Sequence, residues 1–128
     1  MNIFALIPFF SFFASGALCG VVWSHRPLLR THMLLGIMLT FIMIWAFSSF
    51  VLHANFFPEQ AVWWYGSVAL CVIGTATAYY HFSRTFVEKS AGIGVYFGYG
   101  VLILVMLLIT SGYFIKTVYT MGGLIYTE

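Results

Sequence analysis

Long uncharged runs separated by short polar clusters set the plan of this chain. Ile3 to Trp23 carries no charge over about 21 positions, and a helix rising about 1.5 Å per residue crosses a hydrocarbon core of roughly 30 Å in that length. Three more runs of similar length follow. The pattern predicts spanning helices at about 3–23, 32–53, 61–83 and 92–115, with a short extracytoplasmic tail at 116–128. The expected fold class is therefore all-α: an integral membrane up-down bundle of four transmembrane helices forming one domain, 1–115.

The polar clusters supply the turns. Ser24-His25-Arg26-Pro27 ends the first run, because Pro27 disfavours helical geometry in the residue before it, whereas Pro8 falls in the first turns, where a missing N–H does little harm. Asn55, Pro58, Glu59 and Gln60 mark the second connection and Arg84 to Ser90 the third. Links this short make neighbouring helices antiparallel. Arg26 and Arg30 fall at the first link, Arg84 and Lys89 at the third, and only Glu59 at the second. The positive-inside bias then places the first and third links in the cytoplasm and both termini outside. Without a basic leader or a small-residue cleavage pattern, the first run reads as a retained span rather than a signal peptide. Trp63, Trp64 and Tyr65 at one side and Trp23 at the other suit aromatic belts in the headgroup zone.

Composition agrees and narrows the chemistry. The 128 residues are 62% hydrophobic and 6% charged, with a mean hydropathy of +1.02, far from the roughly one quarter charged residues of a soluble domain. There is no Asp, and the only acids are Glu59, Glu88 and Glu128, too few for ordinary acid/base or hard-metal chemistry. No phosphate-cradling loop, zinc-protease helix or Ser-His-Asp set occurs, so the chain is not expected to be an enzyme. The five cations are too scattered to bind nucleic acid, and no charge interrupts a span as proton relays and ion-coupled transporters require. Cys19 and Cys71 lie inside apolar runs and read as small packing residues.

Three sets of residues are candidates for a role. Gly16 with Gly20, Gly94 with Gly98, and Ser67 with Cys71 and Thr75 repeat at four-residue spacing, which lets helices approach closely, within the chain or against partner helices in a homo- or hetero-oligomer. Trp45, Ser49 and His53 form one stripe on the second span and, with Trp63 and Trp64 near in topology, would frame an outward pocket; the same stripe also serves for plain interhelical packing. No cofactor is required. The one arrangement that would take one is His32 and His81 clamping a haem or chlorin, His81 sharing a helix face with Leu70, Gly74 and Thr77, where a flat ring would fit; otherwise both histidines, with His25, rest in the interface. No metal is expected.

Three stretches resemble a known family: Trp23-Ser24-His25-Arg26-Pro27-Leu28-Leu29-Arg30 followed by Trp45-Ala46, the entry Trp63-Trp64-Tyr65-Gly66, and the exit Tyr79-Tyr80-His81-Phe82-Ser83-Arg84-Thr85-Phe86-Val87-Glu88. Together they resemble the first four helices of the seven-transmembrane N-terminal input domain of bacterial histidine kinases and diguanylate cyclases. Val87 stands where that family has a Pro. The resemblance covers nearly all of this chain and about half of the family domain, so it implies no phosphotransfer here. It implies a non-catalytic sensor or signal-transduction module in the bacterial inner membrane that holds partner helices or senses an apolar or interfacial ligand. The alternative is a small accessory subunit of a respiratory or photosynthetic membrane complex, in contact with haem or chlorin pigment.

The topology has a direct check. In a chain freed of Cys19 and Cys71, Arg26→Cys and Arg84→Cys should react with an impermeant maleimide from one side of the membrane and Glu59→Cys from the other. Labelling of the two arginine positions from opposite sides contradicts the reading.

Overall fold

In hydrocarbon every backbone N–H and C=O must find its partner inside the chain, and continuous helices meet that demand segment by segment. The structure, a computed structural model, describes residues 3–25, 29–87 and 90–113. It contains four long helices, α1 (Ile3–Ser24), α2 (Arg30–Ala54), α3 (Ala61–Phe86) and α4 (Ile93–Thr110), with one 3-10 turn, Pro58–Gln60, between α2 and α3. All four are long and apolar enough to cross a membrane, and the described residues contain no strand. Arg26, Glu88, Lys89 and the tail expected at 116–128 lie outside the described residues.

The helix ends follow local chemistry. α2 stops where Asn55 takes the left-handed conformation, φ 53°, and returns its N–H to Leu52 O at 3.2 Å. α3 runs past the expected end at 83 and carries Arg84 on its last turn rather than in a loop, where a cation meets the partial negative charge of the helix C-terminus. α4 is continuous over Ile93–Thr110, and the expected end at 115 lies outside the described residues. Ser111 caps this stretch, and Gly112 at φ 74° adopts a backbone that only a residue without Cβ takes freely.

Side-chain pairs step backwards along each successive helix, so neighbours are antiparallel. Between α1 and α2, Phe9 meets Phe50 with ring centroids 5.3 Å apart, Phe12 meets Phe47 at 5.5 Å, and His25 meets His32 at 5.8 Å. Between α2 and α3, Phe47 meets Trp64 at 5.9 Å and the Phe41 ring lies on Gly74. Between α3 and α4, Ile109 covers Gly66, Thr77 covers Gly98 and Tyr80 covers Gly94. His25, Arg30, His32, His81 and Arg84 thus gather at one end of the molecule, the basic end, and His53 and Glu59 at the other.

Lipid supplies no hydrophobic force to press helices together, so close approach and dispersion decide where they touch. The seams are accordingly made of small residues. Ala5, Ser15, Cys19, Ala46, Ser48, Cys71, Gly74 and Ala78 are buried, while Phe4, Ile7, Phe10, Phe97, Ile103 and Leu107 point outward. Extensive contact is confined to sequence neighbours: α1 with α2, α2 with α3, α3 with α4. The result is an open up-down row, with α1 and α4 at its two edges; a closed ring would need α4 to return to α1.

The seams differ in tolerance. A Cβ at Gly98 would lie 2.8 Å from Thr77 Cγ2, whereas one at Gly20 would meet nothing within 4 Å. Gly98→Leu should therefore lower the stability of the detergent-solubilised chain by about 1–3 kcal/mol in a denaturation titration. Gly20→Leu should change it by no more than about 0.5 kcal/mol.

Candidate functional site

Because helical residues four apart stack on one face, Trp45, Ser49 and His53 line up along α2, and α1 lays Phe4, Ile7, Pro8 and Ser11 opposite them. Together with Ile42 and Ala46 they enclose a groove of about 410 Å³ near the His53 end. Trp63 and Trp64 do not line it. Trp64 packs on Phe47, two residues from Trp45 and so about 200° round the helix, on the far side of α2. Trp63 is exposed.

A second groove, of about 480 Å³, opens between α2 and α3 on the same face of the row. Met38, Ile42, Trp45, Val72, Thr75, Ala76 and Tyr79 line it. Ile42 and Trp45 belong to both grooves, and the second reaches towards the basic end, beyond the depth of the first. It is almost wholly apolar except for Thr75, whose buried Oγ1 has no hydrogen-bond partner.

Hydroxyls in a bilayer have few partners other than backbone, and most here use the carbonyl one turn back. Ser11 donates to Ile7 O at 2.9 Å, Ser15 to Ser11 O at 2.6 Å, Thr40 to Gly36 O at 2.8 Å, Ser67 to Trp63 O at 3.0 Å and Thr110 to Met106 O at 3.0 Å. The Cys19 thiol lies 3.4 Å from Thr40 Oγ1 and donates at 4.0 Å to Gly36 O, the carbonyl that Thr40 also uses. Both cysteines are free and buried in seams.

At the basic end His81 on α3 shares a hydrogen bond of 3.1 Å between its Nδ1 and the Tyr99 hydroxyl of α4, and Arg30 is near enough to act on the ring electrostatically. Arg84 Nε donates to Ser90 O at 2.9 Å, tying the α3–α4 connection to the end of α3. His32 faces His25 of α1 instead. The two histidines considered for a haem or chlorin therefore have different ring partners. The Phe41 ring fills the space beside Gly74, and Thr77 packs on Gly98, so the face below His81 is taken up by protein. His32 Nδ1 and His81 Nε2 are buried without a hydrogen-bond partner, and no group of three or more metal-ligating side chains occurs among the described residues.

The small-residue stripes divide. Gly94 and Gly98 are closely packed under Tyr80 and Thr77, and Cys71 is buried. Gly16 has only an ordinary contact with Met43 at 3.5 Å, Gly20 has none, Ser67 is half-buried with its hydroxyl turned back on its own helix, and Thr75 lines the second groove. Three further glycines receive side chains, Gly36 under Trp23, Gly66 under Ile109 and Gly74 under Phe41, and none belongs to the stripes singled out in the sequence. Trp23, expected in a belt, spends one ring edge on Gly36.

No family model, no curated protein and no solved structure matches this chain.

The His81–Tyr99 bond is the one described side-chain hydrogen bond linking α3 to α4. Tyr99→Phe, which keeps the ring and removes the hydroxyl, should reduce stability in detergent by about 0.5–1.5 kcal/mol, read from the shift in a denaturation curve. An unchanged curve would show that the bond contributes nothing.

Proposed function

We propose that the chain is a non-catalytic membrane module, the front part of a sensor-type input domain, that works built into a larger array of transmembrane helices. One observation carries this reading. Glycines inside the row are covered by neighbouring side chains, whereas Gly20 on α1 and Gly100 on α4, the two edge helices, have nothing within 4 Å. Gly100 sits between Tyr96, Phe97, Ile103 and Leu104, all exposed, so it makes a notch in an outward ridge. A helix seated there gains the close approach that drives association in lipid. Both edges of the row are thus shaped to receive further helices.

The mechanism of such a module is displacement. Joined in series, the four helices pass a shift at one seam to the next, and a ligand or partner biases the row only so far as it binds two arrangements unequally. The aromatic entry Trp63-Trp64-Tyr65-Gly66 and the His81-Phe82 exit favour a signalling array over an accessory subunit of a respiratory or photosynthetic complex. In this reading the basic end faces the cytoplasm of a bacterial inner membrane, and the scarcity of carboxylates leaves catalysis to other domains.

Native membranes extracted in mild detergent test the assembly. The chain should migrate as one discrete complex larger than a monomer, and Gly100→Leu or Gly20→Leu should dissociate it while leaving helicity intact. A wild-type chain that runs as a monomer, or a complex indifferent to both substitutions, rejects the proposal.

A further inference from the structure

The groove between α1 and α2 has a chemistry that selects its occupant. Whereas Ser11, across the groove, has its hydroxyl turned to its own helix, the half-buried Ser49 hydroxyl makes no hydrogen bond within the described chain. An unpaired donor in an apolar wall costs free energy until an acceptor meets it. His53, one turn further along the same stripe, is exposed at the mouth and offers a second polar contact.

Charge narrows the choice further. The described cations, Arg30 and Arg84, lie at the opposite end of the molecule, and the one described carboxylate, Glu59, is at this end. None of the described residues lining the groove is an Arg or Lys able to hold a phosphate or carboxylate head, whereas an uncharged head needs no such partner. In size the groove falls within the range of small-molecule sites, and the second groove continues it across Ile42 and Trp45 with almost purely apolar walls. Polar contacts at one end and an apolar continuation deeper in the membrane match a molecule with a head and a tail.

We propose that this groove binds a neutral amphiphile drawn from the bilayer, its carbonyl- or ester-bearing head on Ser49 and His53 and its apolar tail passing Trp45 into the second groove. The site lies within the single chain, so it holds whether or not the chain assembles with other helices. The test is photolabelling of the purified chain in phosphatidylcholine nanodiscs with a diazirine-bearing monoacylglycerol, read by peptide mass spectrometry, alongside diazirine-bearing fatty acid and phosphatidylglycerol. The neutral probe should label the segments holding Ser11 and Ser49 saturably and in preference to both anionic probes. Ser49→Ala should cut that labelling by about three- to tenfold, the worth of one hydrogen bond, while Ser67→Ala, whose hydroxyl is already bonded to Trp63 O, should leave it unchanged, with circular dichroism confirming equal helicity. Labelling spread over all four helices in proportion to exposed surface, equal labelling by the anionic probes, or indifference to Ser49→Ala overturns the proposal.

Discussion

All four helices are long and apolar enough to cross a membrane, and in hydrocarbon backbone polar groups cannot turn to solvent and must pair within the chain. Four helices satisfy that demand internally, and they also remove the force that organises a soluble core. Lipid tails are as apolar as leucine, so burying a large side chain gains little over leaving it in the bilayer. Small residues therefore occupy the seams and large ones the surface. Val95 is the single buried residue of α4, and it lies in the seam with α3.

From that inversion comes the shape. Each hairpin sets glycine against a ring or branched side chain, Gly36 with Trp23, Gly74 with Phe41, Gly98 with Thr77, and among the described residues α4 makes no extensive contact with α1. Serial packing leaves two edges and one grooved face. The edges carry open glycines, and the face carries Trp45 standing between two cavities. Among the described residues polar chemistry is sorted by the same geometry: Arg30, Arg84 and three histidines at one end, His53 and Glu59 at the other, and between them hydroxyls mostly absorbed by their own helices.

How much of this was legible in the sequence depends on the length scale. The existence and type of all four helices were plain, because uncharged runs of this length have few other uses. Their ends were less so: Arg84 looked like a loop residue yet closes α3, and α4 breaks off beside Gly112, one glycine among twelve. The Trp45-Ser49-His53 stripe was visible as a helical period, but its partner was not. Which helix lies across a groove depends on how α2 is rotated, and that rotation places Trp63 and Trp64 elsewhere and brings in Phe4, Ile7 and Ser11. Of the glycines at four-residue spacing, Gly94 and Gly98 are covered within the chain and Gly20 is open, since a repeat records that a helix has a small-residue face without saying what it faces.

The central claim is the open row, and a distance between its edges measures it most directly. Spin labels placed at mid-depth on α1 and α4 of the chain in nanodiscs, read by pulsed electron paramagnetic resonance, should lie clearly farther apart than an equivalent pair on α1 and α2, whose axes are separated by the roughly 8–10 Å of packed helices. An α1–α4 distance as short as that of the packed pair would mean that the helices close into a ring, and would contradict the account.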